Sequence, residues 1–353
     1  MAPVARILVL NNYDMRAARA NVAAGHSPDH VLYGLNHFER HGHTVTVVPY
    51  ERSQALKRAS AALRRSPIPL GDLDLQASVL RAARDADLVY CPCQNIAHVL
   101  AYMRWAHVFD VPMVWVVHHP LDRGRLSRPR RPVMRALLRG LDGYPALSEP
   151  LARDLAAIAG SDERTGVVKW GPDPIWYPGS NGVGNGVVSV GRTNRDFETL
   201  ARAADQTDIE CRIVTSGMTH RALLELYAQA RVIAIPLRVQ WPWPMNGLQS
   251  LMDALGMGKP VIVTRNPWLD LDVEELGIGI WVAPGDVAGW RSAIRYVDQN
   301  PDVAAEMGGR ARALVDEGHR SSASFAQQVM GMFERALAGS PTPALDRRFQ
   351  REL

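Results

Sequence analysis

At 353 residues the chain is too long for one ordinary domain and long enough for two, each able to bury its own core. Apolar residues make up 47% and charged residues 22%, the balance of a soluble globular protein, and no apolar run approaches the ~20 residues of a membrane span. The formal charge of +4 is modest for this length, accompanies no nucleic-acid-binding motif, and suits an anionic small ligand.

The opening MAPVARILVLNN holds one short apolar run that ends in Asn-Asn rather than in a small-residue cleavage site. It predicts a first strand rather than a signal peptide, and a cytoplasmic location. RILVLNN is followed by the helical stretch PDHVLYGLNHFERHG, and then by HTVTVVPY, DLVYCPC, PMVWVVHH, GYPALS and TGVVKW as further strands. That alternation predicts a doubly wound parallel sheet. The three cysteines, two of them in Cys91-Pro-Cys93, lack the spacer and second pair of a zinc site and fit core thiols in a reducing compartment. Residues 123 to 139, RGRLSRPRRPVMRALLR, gather seven arginines around a short amphipathic run. Such a segment suits an anionic membrane surface, an acidic substrate, or a solvated loop and helix.

After Trp170 the stretch GPDPIWYPGSNGVGNG is dense in Pro, Gly and Asn, and residues 172–185 are the expected linker between a domain at 1–171 and a second at 186–338. The last residues, 339–353, read as a tail without regular structure. The second domain starts the alternation again. GVVSVGR, CRIVTSG, RVIAIPL, PVIVTR and GIWVAP are strands of the buried type, separated by FETLARAAD, HRALLELYAQA, the stretch NGLQSLMDALGMG and DLDVEELG, with helices from Val287 to about Ala338 closing the chain. The predicted fold class is therefore α/β, two Rossmann-like doubly wound domains whose sheet ends face a cleft. A dinucleotide-binding fingerprint is absent: NNYDM stands where G-x-G-x-x-G would be, and GVGNG at 182–186 precedes a strand instead of following one.

In NGLQSLMDALGMG, Leu248, Leu251, Met252 and Leu255 fall at i, i+3, i+4 and i+7, the apolar face of a helix. Asn246, Gln249, Ser250 and Asp253 repeat the interval on another face, with Asn246 placed as N-cap and Gln249 at N3 as a capping-box variant. That polar stripe is either a solvated outer face or the wall of a ligand site. Gly191, Arg192 and Arg195 follow the buried run VVSV. A planar, permanently charged guanidinium at a strand end suits phosphate oxygens, although Asp196 and Glu198 offer surface ion pairs instead. Amides at a helix start by Gly247 and Leu248 would face the same anion, and Asp253, two turns in, would accept from a pair of ribose hydroxyls.

These segments together resemble a family. VVSVGRTNRDFETL, HRALLELYAQARVIAIPL, and NGLQSLMDALGMGKPVIVT followed by GIWVAPGD are similar in order and spacing to the large retaining group of nucleotide-sugar-dependent glycosyltransferases with the GT-B fold, glycosyltransferase family 4-like. The first half is similar through its strand order, PDHVLYGLNHFERHGHTV and VVHHP. The resemblance implies transfer of a sugar from a nucleotide-diphosphate donor, a UDP-sugar first, to a small-molecule or lipid-linked acceptor. It implies retention, no metal, and no cofactor beyond the nucleotide sugar as co-substrate. It places Arg192 and Arg195 on the donor diphosphate, Arg195 standing where the family has Lys, and Asp253 on the ribose, where the family has Glu. It assigns His118 to the donor sugar, so that His118, Arg192 and Arg195 are the expected catalytic residues. Gly191, Asn246, Gly247, Leu248, Gln249 and Ser250 complete the donor site, and Asn11 and Asn12 stand at the acceptor loop. Met245 occupies a position where the family carries a carboxylate, which leaves Asn246 as the neighbouring candidate for that contact. Trp241, Trp243 and Trp268 flank the expected donor site, either stacking on a sugar or base or packing inside. The arginines from Arg123 to Arg139 are candidates for a peripheral contact with the inner membrane face. A non-catalytic nucleotide-sugar binding protein, or an epimerase of the same fold, is the alternative reading.

Overall fold

The computed structural model describes residues 4–50, 53–63, 66, 68–94, 96–121, 127–179, 184–215, 217–238 and 246–339. Met245, Trp241, Trp243, Arg123, Arg125 and the tail from 340 on lie outside the described residues. The chain forms two compact units, Met1–Asn21 with Leu32–Lys169 and Phe325–Leu353, and Val22–Val31 with Trp170–Ser324.

In the first unit four short strands, β1 (Arg6–Val9), β2 (Thr44–Val47), β3 (Leu88–Cys91) and β4 (Met113–Trp115), pair in parallel in the order β2-β1-β3-β4. β3 and β4 are buried at every residue, as expected of β-branched and aromatic strands in a parallel sheet. Beyond β4 the predicted strands GYPALS and TGVVKW are reduced to isolated bridges, Val117 to Ala146 and Ala146 to Val167. Pro145 accepts from the Val117 amide at 2.8 Å but has no N–H to return, so the ladder is broken there. The stretch PDHVLYGLNHFERHG is likewise not one helix. A 3-10 turn, Asp29–Leu32, gives way to the helix Leu35–Arg40 across Tyr33 and Gly34, whose φ angles are 49° and 93°. The final helix, Ser322–Leu337, sends Phe333 into this unit, where Phe38, Tyr90 and Phe333 pack edge to face with centroids 5.0 to 5.5 Å apart.

In the second unit β5 (Val187–Val190), β6 (Cys211–Val214), β7 (Val232–Ile235), β8 (Val261–Thr264) and β9 (Gly279–Val282) form a parallel sheet in the order β6-β5-β7-β8-β9. Val187, Val232, Ile262, Leu200, Trp290 and Ile294 share one core cluster. Three of the helices that follow strands start on side-chain caps, Asp196 accepting from Thr199 N, Thr219 from Ala222 N and Asp286 from Gly289 N. DLDVEELG forms turns rather than a helix, because Asp272 Oδ1 accepts from the Glu274 and Glu275 amides and from Trp281 Nε1. In each sheet one strand has its sequence successor on one side and a later strand on the other, β1 between β2 and β3, and β5 between β6 and β7. The carboxyl ends at these switch points are where open α/β sheets bind ligands.

Candidate functional site

Gly191 to Arg195 leave β5 at the second switch point. The Arg195 guanidinium folds back over Gly191, so closely that a Cβ at that glycine would lie 2.5 Å from Arg195 Nε. Arg195 then donates to Thr193 O at 3.2 Å and to Ser250 Oγ at 2.9 Å, and Ser250 in turn donates to Val190 O at 3.2 Å. The backbone is pinned next to it: Arg238 N donates to Asn194 O at 3.1 Å, Asn194 Nδ2 to Arg238 O at 2.7 Å, and Arg195 bridges to Leu237 beyond β7. Arg195 Nε is buried with no hydrogen-bond partner among the described residues, and burial lowers the guanidinium pKa without removing its charge. Arg192, in the same turn, is exposed.

The helix of the polar stripe is Leu248–Gly256, and the predicted capping box does not form. Gly247, not Asn246, is the N-cap, at φ 91°, with no side-chain cap bond. The reason is packing from below: a Cβ there would sit 2.9 Å from Leu237 Cδ2 and 3.0 Å from Ile235 Cγ2, so a left-handed glycine lets the helix start directly on β7. The solvated-face alternative for the stripe also fails. Ser250 and Asp253 are buried along with Leu248, Leu251, Met252, Ala254, Leu255 and Gly256, and Gln249 is half-buried.

What satisfies the stripe is a polar network. Asp253 Oδ1 accepts from Tyr177 OH at 2.5 Å, from Gln249 Nε2 at 2.9 Å and from His220 Nε2 at 3.3 Å. Gln249 Nε2 also lies 3.0 Å from His30 Nε2, which makes that nitrogen the acceptor. His30 is buried between Trp170, edge-on at 5.1 Å, and Tyr177, stacked at 6.0 Å. Burial pushes its pKa down to about 4, so the ring is neutral. Burial likewise raises the Tyr177 phenol well above its ordinary value, and the hydroxyl keeps its proton for Asp253. The pattern of the helix pointed to Gln249, Ser250 and Asp253, but nothing in it pointed to His30, Tyr177 or His220. Trp268 is half-buried in the turn after β8, its amide on Asn266 Oδ1.

His118, Asn11 and Asn12 lie in the first unit. His118 Nε2 donates to Pro92 O at 2.7 Å, and burial lowers its pKa to about 4, which leaves a neutral ring with Nδ1 as acceptor. Its backbone is held by Gln94, whose Oε1 accepts from His118 N and whose Nε2 donates to His119 O at 2.6 Å. Tyr33 lies against the ring, centroids 5.5 Å apart. Asn11 is turned inward, Nδ2 on Met15 Sδ at 3.0 Å, while Asn12 is exposed. The arginine-rich run forms the helix Ser127–Arg139 with Met134, Leu137 and Leu138 buried. Arg131 and Arg135 donate to Ala157 O and Ile158 O, the last carbonyls of the helix Glu149–Ala159, so these two serve as C-terminal caps. Cys91 is buried, Cys93 and Cys211 partly so, and all three are free thiols. A groove of about 710 Å³ lies elsewhere on the second unit, by Lys259 and Pro260 at the start of β8. Lys259 Nζ is already spent there on Ala228 O and Ala230 O, at 2.9 and 2.8 Å.

Comparison with known proteins bears on the fold. Residues 29–174, roughly two-fifths of the chain, match the sequence model of Glycosyltransferase Family 4. No curated protein matches the chain by sequence. Among solved structures it is similar to Anabaena HepE in complex with UDP-glucose, at 17% identity and TM-score 0.62 over 93% of this chain and 99% of that one. It is also similar to sucrose-phosphate synthase from Thermosynechococcus elongatus, at 15% identity and TM-score 0.65 over 95% and 100%. A third is α,α-trehalose 6-phosphate synthase from Burkholderia multivorans, at 11% identity and TM-score 0.63 over 96% and 99%. These structures share their two-domain GT-B fold with this chain. The match to Glycosyltransferase Family 4 is confined to residues 29–174.

Proposed function

We propose that the chain transfers a sugar from a nucleoside-diphosphate donor, a UDP-sugar first, to a small-molecule or lipid-linked acceptor, with retention and without a bound metal. The observation that carries this reading is the contact of Arg195 with Ser250, which joins the end of β5 to the first turn of Leu248–Gly256 at a sheet switch point. A guanidinium, the amides that open a helix and the exposed Arg192 in one turn form an anion site of the kind a diphosphate needs. HepE, solved with UDP-glucose, supports the choice of donor.

In this reading Arg192 and Arg195 neutralise the charge that builds on the diphosphate as the glycosidic bond breaks, and Arg195, already held by Thr193 and Ser250, costs little reorganisation. His118 meets a sugar hydroxyl through Nδ1, which has no protein partner among the described residues, since Nε2 is committed to Pro92. Asn12 is the exposed residue of the acceptor loop. The protein works in the cytoplasm, and the exposed Arg128 and Arg139 of the helix Ser127–Arg139 provide its contact with an anionic membrane. Among the described residues no helix is long and apolar enough to cross one.

Calorimetric titration with UDP, GDP, ADP and dTDP tests the donor. We expect UDP to bind, Arg195→Ala to weaken it by about 10- to 100-fold through loss of a charged hydrogen bond, and Arg192→Ala to lower turnover on the order of 10²-fold. Transfer that is unchanged in EDTA is the expected result for metal independence. Failure of all four diphosphates to bind, or full affinity in Arg195→Ala, overturns the donor site.

A further inference from the structure

The carboxylate that the helix pattern offers to a ribose has one oxygen committed to protein donors. The Asp253 side chain is 3% exposed, and its Oδ1 already accepts three hydrogen bonds. The network includes His220, whose side chain is 20% exposed. It opens the helix His220–Gln229, one turn after the end of β6, and Thr219 caps that helix. Trp176 holds the ring edge-on, centroids 6.1 Å apart.

We propose that His220 is the residue of this chain that accepts a ribose hydroxyl of the bound nucleotide, with Asp253 behind it as a positioning residue. The chemistry follows from the tautomer. Asp253 only accepts, so the His220 nitrogen facing it, Nε2, carries the proton, and in the tautomer this selects Nδ1 is the nitrogen with the lone pair. Among the described residues Nδ1 has no protein partner. A hydroxyl is the complementary donor. Spacing fits one ligand as well. Ser250, which holds Arg195, and Asp253, which holds His220, are three residues apart on one helix, about 4.5 Å of rise. Anion contact and hydroxyl contact therefore fall within the length of a single nucleotide. The inference rests on the donor reading above.

The test pairs a protein change with a ligand change. UDP and 2′,3′-dideoxy-UDP are titrated into the full-length protein and into His220→Phe, His220→Gln and Asp253→Asn. The native protein is expected to prefer UDP by about tenfold, the size of one well-placed hydrogen bond. In His220→Phe the preference should fall to within about twofold, while His220→Gln, which retains a donor and an acceptor, should keep most of it. Asp253→Asn should lose it too, because a carboxamide no longer enforces the tautomer. A ¹⁵N spectrum of the native protein provides a readout that needs no variant: Nδ1 of His220 should shift with UDP and not with the dideoxy analogue. Full preference in a folded His220→Phe, or no change at Nδ1, overturns the proposal and leaves the donor site standing. A native protein that does not bind UDP overturns both.

Discussion

Tyr177→Phe isolates one bond of the buried network. The hydroxyl donates to Asp253 Oδ1 at 2.5 Å, and both residues are sealed, at 1% and 2% exposure. The ring keeps its place after substitution, stacked on His30 and pressed against Gly256, where a Cβ would lie 2.5 Å from Tyr177 Cγ. Only an oxygen is removed, so no sizeable cavity adds to the cost, and water has no ready access to replace the donor. A hydrogen bond to a charged acceptor contributes about 1.5–3 kcal/mol. Asp253 keeps Gln249 and His220 as donors, which argues for the middle of that range, about 2 kcal/mol. For a unit of this size that corresponds to roughly 4–8 °C in Tm. Urea unfolding should show a lower midpoint at unchanged slope, since the surface exposed on unfolding is the same. A double-mutant cycle with Asp253→Asn should return a coupling of about 1 kcal/mol or more. A loss below about 0.5 kcal/mol would show that the short contact does not stabilise the fold, and the network would no longer explain why the stripe is buried.

Gly247→Ala should cost about 2–4 kcal/mol, from a left-handed residue with a Cβ and from the push against Leu237 and Ile235, and should also weaken UDP binding; a stable variant with native affinity refutes the packing account. Acid should destabilise the protein through its buried histidines. Burial holds His30 and His98 at a pKa of about 4, below the unfolded value near 6.5, so the unfolded chain takes up protons first. Their contribution is complete above about pH 6.5 and is lost as the pH falls toward 4, on the order of 3 kcal/mol for each. A urea midpoint that stays level from pH 7 to pH 4.5 would refute this.

Much of the architecture is legible along the chain. Val-Val-Ser-Val, Val-Ile-Ala-Ile and Val-Ile-Val-Thr are strands because β-branched residues in short apolar runs suit a sheet covered on both faces, and each forms where its run predicts. The helix at Leu248 announces itself by its apolar spacing. The misses are places where a neighbour from elsewhere overrides a local preference. Asn246 is a good cap by type, yet the chain rises so close to Leu237 and Ile235 that Gly247 takes the position. Pro145 interrupts a run that otherwise has strand character, and the helical pattern around Tyr33 is broken by two residues of positive φ.

The same division holds for the site. Gly191, Arg195, Gln249, Ser250 and Asp253 were visible as a polar turn and a polar stripe, since helix period and strand ends are properties of the local backbone. Their partners were not. Tyr177 lies 76 residues from Asp253, His220 lies 33 residues from it, and His30 lies 219 residues from Gln249. No periodicity spans such distances. The sequence by itself determined which segments are strands and helices and which faces are polar, because those follow from intervals of two and of three to four residues. Only the tertiary structure decided that Ser250 and Asp253 are buried, that Asp253 Oδ1 is held by Tyr177, Gln249 and His220, and that His30 joins the network, because strand order and the packing of distant segments determine which side chains share a closed space.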